Sequence, residues 1–417
     1  GVDRTGLKSL WTPNVRWVEV TEEGFQGGTV IPNTYDGGQA SLEQLRQNIL
    51  RSGEVGRLVA NNFKSSIIYV PLLEKNPETG EALDYLDFSR VLEEKIRILE
   101  GAEAATSFSS GMAAISNTLF ANLNSGDRVV AGKDTYGGTS KLFLEFLPQY
   151  DIEVVLCDTT DHDQIEKEVN KGCQLLYLET PTNPTLKIQD IKRLSSLGKR
   201  AGAVIVVDNT LATPINQNPL TLGADLVLHS ATKFLCGHSD ALGGLVCGDK
   251  EKIEKIFHFR EINGATLDPN AAYLIIRGMK TLALRMERHN ANAMELANWL
   301  SEHPKIDTVF YPGLETNAGY TTAVEQMKGF GGVLSFSLYG EKDLIPIFIT
   351  KLTFAHAAAH LGSVDTIVGP PKTTSHIENT MEERSALGIP ENMIRCSVGI
   401  ENIDDIKRDF LQALDQL

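Results

Sequence analysis

Lys233 stands in Leu226-Val-Leu-His-Ser-Ala-Thr-Lys-Phe-Leu-Cys-Gly-His-Ser-Asp240, directly after an apolar run, Ala224-Asp-Leu-Val-Leu228, that reads as a short buried strand. A lysine at such a strand end, among small hydroxyl residues, is placed where burial lowers its pKa and frees its amine as a nucleophile. Alone it would read as one more solvated lysine. Its partner lies 25 residues earlier, where Val204-Ile-Val-Val-Asp208-Asn-Thr is a second apolar run ending in a carboxylate. An Asp at the mouth of one strand and a Lys at the mouth of the next is the pair a pyridoxal 5'-phosphate (PLP) site needs. The lysine forms the Schiff base, and the carboxylate keeps the pyridine nitrogen protonated so that the ring acts as an electron sink.

Other polar groups recur just after apolar runs or at helix starts, where open parallel sheets bind ligands. Ser109-Ser110-Gly111-Met112-Ala-Ala-Ile opens a helix with small residues. It is a plain serine N-cap or, with its free amides and the helix dipole, a phosphate cradle. Ser230 and Thr232 flank the lysine and can complete a phosphate's hydrogen bonds. Tyr136, in Asp134-Thr-Tyr-Gly-Gly-Thr139, is either half-buried packing or a ring that stacks on a flat cofactor. Asn183, in Glu179-Thr-Pro-Thr-Asn-Pro184, is either a turn residue or a donor to the cofactor's phenolic oxygen. Arg395 sits inside the apolar run Met393-Ile-Arg-Cys-Ser-Val-Gly-Ile400. Arginine is rarely buried without an anion, and a substrate carboxylate is the candidate.

The elements that must position these residues follow from the pattern. Residues 1 to about 85 read as an irregular arm, with one amphipathic stretch (Leu42–Arg51) and a Pro/Gly-marked loop at Asn76-Pro-Glu-Thr-Gly80. From Leu92, which opens a helix to Glu100, short apolar strands alternate with helices: 128–131, 152–156, 174–178, 204–207 and 226–228, with a helix over 188–201. That alternation predicts a mostly parallel sheet covered on both faces. One long helix is expected over 270–300. A half-exposed strand follows at Gly332–Leu338, where apolar and polar residues alternate strictly, and an amphipathic helix closes the chain at 403–417. The expected domains are an N-terminal wrapping segment at 1–85, a large PLP-binding domain at 86–275 and a C-terminal domain at 276–417.

Composition narrows the function classes. The chain has 417 residues and a formal net charge of −15, with no basic stripe, which argues against nucleic-acid or anionic-membrane partners. Five scattered cysteines show no metal-type pairing, so no metal site is expected and free thiols in a reducing cytoplasm are. No apolar run has signal-peptide or membrane-spanning character.

These runs together resemble the cystathionine γ-synthase/γ-lyase family of Cys/Met-metabolism PLP enzymes over roughly residues 90 to 417. Tyr311-Pro-Gly-Leu, Gln326-Met-Lys-Gly-Phe-Gly-Gly and Ile394-Arg-Cys-Ser-Val-Gly-Ile-Glu401 extend the match already carried by the segments above. The resemblance implies a PLP-dependent transferase fold of type I, aspartate-aminotransferase-like, with a mostly parallel central sheet plus a smaller C-terminal α/β domain. It implies homotetramers, dimers of dimers, whose sites are shared between paired subunits. It makes Lys233 the Schiff-base lysine, Asp208 the pyridinium partner, and Tyr136 the stacking ring and acid/base aid. Ser110, Gly111, Met112, Ser230 and Thr232 would hold the phosphate, and Asn183 with Arg395 the substrate carboxylate.

The implied reaction is elimination or replacement at Cγ of an amino acid, with a cysteine or cystine β-lyase as one alternative and a non-catalytic PLP-fold binding protein as another. Two departures from the family bear on substrate. Its Tyr-x-Arg…Gly-Asn-Pro-Thr stretch, which reaches the neighbouring subunit's phosphate, is replaced by Glu81-Ala-Leu-Asp-Tyr-Leu-Asp-Phe-Ser-Arg-Val91, leaving Tyr85 or Arg90 as substitutes. Its Ser-Leu-Gly-Gly appears as His360-Leu-Gly-Ser363, preceded by Ala359. His360 is then either a proton shuttle titrating near neutrality or a change of pocket shape. Either way, a non-standard substrate with a modified leaving group is expected.

Overall fold

The computed structural model describes residues 7–21, 24–68, 86–340, 344–377 and 379–417, in two compact units, 1–84 and 85–417. The predicted loop at 76–80 and Tyr85 lie outside the described residues.

The first unit is more regular than an arm. It holds an antiparallel hairpin of β1 (Arg16–Thr21) and β2 (Gly24–Thr29) and the helix α1 (Gln39–Ser52). The glycines of β2 read as loop, yet here they serve pairing: a Cβ on Gly27 would press on Trp17 O at 2.7 Å, and the Trp17 indole covers Gly28. Val15, Val30, Ile49, Leu58 and Val59 form a small buried cluster of this unit's own.

The second unit begins with α2 (Leu86–Glu100), β3 (Ala104–Phe108), α3 (Gly111–Asn122), β4 (Arg128–Gly132), α4 (Gly137–Lys141) and β5 (Glu153–Cys157). It continues through α5 (His162–Val169), β6 (Leu175–Glu179), α6 (Ile191–Arg200), β7 (Val204–Asp208), α7 (Thr213–Asn216), β8 (Leu226–Ser230) and β9 (Gly244–Gly248). These strands make one seven-stranded sheet in the order β3-β9-β8-β7-β6-β4-β5, in which β9 alone runs against its neighbours. Val130, Leu176, Leu178, Ile205 and Val207 pack on one face of the sheet, and Val129, Ala131, Leu175, Tyr177 and Val206 on the other. Burial on both faces is why these strands read as unbroken apolar runs. Strand β9 escapes that signal because glycines bracket it. A side chain on Gly244 would collide with Ser110 O, so the glycine lets the start of α3 settle onto the sheet.

Three helices follow: α8 (Lys250–Asn263), α9 (Pro269–Met279) and α10 (Leu282–Ser301). The single helix expected over 270–300 is therefore two. Gly278 lies so close to the Cys236 backbone that no side chain fits, and Arg285 donates to Gly278 O at 2.9 Å and to Thr281 Oγ1 at 3.1 Å, taking the end of α9 as its acceptor.

The chain ends with β10 (Ile306–Phe310), α11 (Tyr320–Gln326), β11 (Val333–Leu338), α12 (Leu344–Lys351), β12 (His356–Ala357), β13 (Ile367–Gly369), α13 (Met381–Ala386), β14 (Met393–Ser397) and α14 (Ile403–Leu414). Its five strands form a second sheet in the order β10-β11-β14-β13-β12. Strand β11 corrects a second expectation, since it is buried along its whole length. Leu334, Phe336 and Leu338 enter the core, while Ser335 Oγ donates to Pro184 O at 2.7 Å and Ser337 Oγ to Asp307 Oδ2 at 3.2 Å. Alternation here separates an apolar face from a satisfied polar one, with no water on either. The Ser335 bond also ties down the loop that carries Asn183. No helix among the described residues is long and apolar enough to cross a membrane.

Candidate active site

The carboxyl ends of β6, β7 and β8 open on one cavity of about 320 Å³, lined by Lys233, Asp208, Tyr136, Asn183, Arg395, Ser110, Gly111, Met112, Ser230, Thr232 and Ala359. The structure brings these residues to one cavity, with one exception in placement. His360 backs the lysine, while its neighbours Ala359 and Leu361 form the wall.

Lys233 leaves β8 through a turn in which its amide bonds Ser230 O at 3.1 Å. Gly362, at φ +81°, lets the 360–363 loop lie against the Lys233 backbone; a Cβ there would reach 2.7 Å from Phe234 N. Burial first, then the Arg395 cation, pushes the amine down to about 8. His360 Nδ1 lies 3.5 Å from Lys233 Nζ, and its Nε2 is buried with no partner among the described residues. Burial, then Lys233 and Arg395, pushes this ring down to about 4, so the expectation of a histidine titrating near neutrality is not met. Three causes act together against the imidazolium, and His360 is a neutral imidazole at pH 7.

Register places Asp208 beside Glu179 on neighbouring strands. Asp208 Oδ1 accepts from Thr210 N at 3.0 Å and Oδ2 from Tyr177 OH at 3.4 Å. Burial raises Asp208, opposed by the Thr210 bonds, the His229 charge and Tyr177. Glu179 has fewer donors, among the described residues Tyr136 N on Oε2 at 2.9 Å, and burial together with Asp208 drives it well above the carboxylate range. Both carboxyls are pushed up, Glu179 the more strongly, while the extra donors on Asp208 favour its charged form. Glu179 lines the cavity but had no role in the sequence reading, although a carboxylate closing an apolar strand is the very signal that singled out Asp208. Ile115, Thr210, Leu211, Leu242, Thr374 and Ser375 complete the lining without any such signal.

At the start of α3 the Ser110 side chain accepts from Ala113 N at 3.1 Å, leaving the first amides of the helix to a ligand. A Cβ on Gly111 would come within 2.8 Å of Ser230 Cβ and Oγ, so glycine keeps that hydroxyl at the helix mouth. The Thr232 hydroxyl bridges the Gly243 backbone, accepting from its N at 3.1 Å and donating to its O at 3.3 Å. Tyr136 caps α4 and is 45% exposed, enough to leave its ring free toward the cavity mouth.

Arg395, in β14, is 2% exposed. Its Nη1 donates to Asn183 Oδ1 at 3.4 Å, its Nη2 to His360 O at 2.9 Å and Ala359 O at 3.3 Å, and its Nε has no partner among the described residues. Burial pushes this guanidinium down to about 10. Arg90 lies on an exposed part of α2, donates to Asp87 at 3.2 Å, and is not among the residues lining this cavity.

The profile of the Cys/Met metabolism PLP-dependent enzymes matches residues 87–415. An L-methionine gamma-lyase of Fusobacterium nucleatum subsp. polymorphum is 44% identical over 330 residues, covering 78% of this chain and 84% of that protein. The cystathionine gamma-lyase of Bacillus subtilis (strain 168) is 39% identical over 371 residues, 86% of this chain and 97% of that one. Among solved structures, the cystathionine gamma synthase from Xanthomonas oryzae pv. oryzae, in complex with aminoacrylate and cysteine, superposes with a TM-score of 0.78 at 34% identity, covering 82% of this chain and 90% of that one.

Proposed function

We propose, for a chain that belongs to the Cys/Met metabolism PLP-dependent enzymes, that its reaction is elimination or replacement at Cγ of an amino acid. Its cofactor is pyridoxal 5'-phosphate. The residues present fit that group: the cavity has the size of a small-ligand site, glycine keeps the α3 mouth open beside Ser230, and a buried anion faces a buried amine. Bound, the cofactor supplies an electron sink for the bonds broken at the amino acid's α-carbon.

The chain's own residues do the rest. Ser110, Gly111, Met112, Ser230 and Thr232 hold the phosphate by hydroxyls and helix amides. Asp208 would hold the proton on the ring nitrogen, and Tyr136 would supply the aromatic face beside the ring. Lys233 fastens the cofactor and takes the Cα proton on Nζ, a task suited to an amine at about 8. Arg395, with Asn183 beside it, holds the substrate's α-carboxylate. The observation that carries this reading is the orphaned Arg395 Nε, a buried cation without a carboxylate on the wall of a cavity that also holds Lys233.

His360 serves Lys233, as a neutral imidazole behind it that passes on the further proton needed when the γ-group departs. Ala359 and Leu361 shape the wall beside it, and they support a substrate whose γ-substituent differs from those of the ordinary sulfur amino acids. The same reading takes the chain as cytoplasmic, supported by five free, buried cysteines, and as a dimer of dimers. It also divides the chain into an N-terminal segment to residue 85, a large domain at 86–275 and a C-terminal domain at 276–417, supported by the break after Asp84 and the two sheets.

Mass spectrometry of products from amino acids with β or γ leaving groups, with and without a thiol acceptor, tests the reaction. Turnover of γ-substituted substrates is expected. Turnover confined to β-substituted ones, as in a cystine β-lyase, overturns it. Light scattering that returned a fully active monomer of 45.7 kDa would overturn the assembly.

A further inference from the structure

A run of buried hydrogen bonds underlies the Asp208 strand end, and no step above uses it. Glu100, the last residue of α2, is 1% exposed, and His229, in β8, is 2% exposed. Glu100 Oε1 stands 2.7 Å from His229 Nε2 and accepts from Asn209 Nδ2 at 2.8 Å, while Oε2 accepts from Asn218 Nδ2 at 3.4 Å. Asn209 directly follows Asp208. Its side chain also donates to Gln217 O at 2.9 Å and accepts from Gln217 Nε2 at 3.0 Å. Gln217 Nε2 reaches on to Thr180 O at 3.0 Å, and Gln217 Oε1 accepts from Gln326 Nε2 at 3.1 Å. One polar chain thus ties together the ends of β6, β7 and β8, the strands that lead to Asn183, Asp208 and Lys233.

Hydrogen bonding alone does not call for a charge here. A glutamine at 100 would hold the same shape, whereas a carboxylate in the last turn of a helix is opposed by the helix dipole and by burial. A buried anion of this kind persists when a cation and several donors surround it. His229 Nε2, 2.7 Å from Oε1, is placed to supply that cation. Asp208 pairs in register with Leu228, so His229 stands one residue beyond it. Around Asp208 the titratable groups are Glu179 and Tyr177 from β6 and His229 from β8, with Lys233 and Tyr136 sharing the cavity. Among these described groups His229 stands behind Asp208 without lining the ligand space.

We infer that Glu100 and His229 are positioning residues for the cofactor, a buried charge pair that keeps Asp208 a carboxylate and fixes its strand end through Asn209. The inference rests on the reading that Asp208 serves the ring nitrogen.

Glu100→Gln keeps the side-chain shape and the Oε1 acceptor but removes the charge. The full chain, stripped of PLP and titrated back with it, should bind PLP about tenfold more weakly for each pKa unit by which Asp208 shifts, with an altered pH dependence of the bound cofactor's absorption. The double variant Glu100→Gln/His229→Gln removes the pair without leaving a lone buried charge, and it should show the same loss. Unchanged PLP affinity in either folded variant overturns the inference, as does a fall in the melting temperature of the PLP-free chain with no change in affinity. Failure of both variants to fold makes the pair a folding element and overturns it equally. Asp208→Asn, run alongside, separates the layers. If it too leaves affinity and spectrum unchanged, the reading of Asp208 fails; if it alone changes them, only the inference fails.

Discussion

Arg395 reaches Asn183 across the cavity wall, Nη1 to Oδ1 at 3.4 Å, and finds no carboxylate among its described partners. A strand of the second sheet thereby delivers a cation to a loop of the first. The guanidinium spends its other donors on the His360 and Ala359 carbonyls and retains an unmatched Nε in a fully buried setting.

Arg395→Lys should therefore cost substrate binding and leave the cofactor in place. The ammonium keeps the charge but loses the planar fork that can span a carboxylate while holding two backbone carbonyls. Losing one charge-assisted hydrogen bond of about 1.5–3 kcal/mol lowers kcat/KM by roughly 10- to 150-fold. The visible absorption of bound PLP should be unchanged, and steady-state kinetics with the spectrum of the resting enzyme checks both halves.

Lys233→Ala should abolish turnover and the visible band of the bound cofactor. No other amine lines the cavity with Asp208, so nothing can take its place as nucleophile and base. Normal turnover by the purified variant would remove Lys233 from the mechanism.

Asp208→Asn should still take up PLP, though more weakly, while the rate falls by orders of magnitude. A neutral amide cannot hold the ring nitrogen protonated, and burial with Asp208 drives Glu179 beside it toward its acid form. An unchanged kcat would contradict this assignment.

Much of this site was legible because the chemistry sits where secondary structure is easiest to read. Lys233 and Asp208 close apolar strands, and Arg395 interrupts another. Glu179 carries the same signal as Asp208, and only its strand neighbour tells the two apart: side by side, one carboxyl must keep its proton. Pairings remote along the chain left no local trace. Glu100 meets His229 over a separation of 129 residues, and Ser335 meets Pro184 over 151. Glycines misled where they permit packing, as in β2 and β9, because the same residue type marks turns. The serines of β11 misled because their hydroxyls are satisfied by protein and not by water.

Stability should fall on acidification between pH 6.5 and 4. His289, His360 and His376 are each pushed from an ordinary 6.5 to about 4, burial being the first cause in every case. Below 6.5 the unfolded chain takes up these protons and the native chain does not, so stability present above 6.5 is lost progressively as the pH approaches 4. His289 illustrates the cost: its Nδ1 lies 2.7 Å from Val398 O, and its buried Nε2 has no partner to receive a second proton's charge. Each unit of separation is worth ~1.4 kcal/mol per group at full effect. His289→Asn, which keeps a donor for Val398 O, should flatten the fall in melting temperature over this window. An equally steep fall in that variant would clear His289 of the effect.

His360→Ser separates relay from shape. If the neutral imidazole 3.5 Å behind Lys233 Nζ passes on only the further proton that departure of the γ-group needs, the variant should keep the cofactor's absorption and exchange of the substrate's Cα proton with solvent. Departure of the γ-group should slow by ~100- to 10,000-fold, the range of one general acid–base side chain. The pH profile should lose little on its acidic side, because a ring pushed down to about 4 is already neutral across the working range. Exchange measured by NMR in heavy water, beside product formation on the same substrate, distinguishes the outcomes. A shift of preference toward ordinary sulfur amino acids at full rate would make His360 a shaping residue, in line with Ala359 and Leu361 on the wall. Equal loss of exchange and product would move it to holding the cofactor, since both steps need Lys233 correctly placed and only the second needs a further proton.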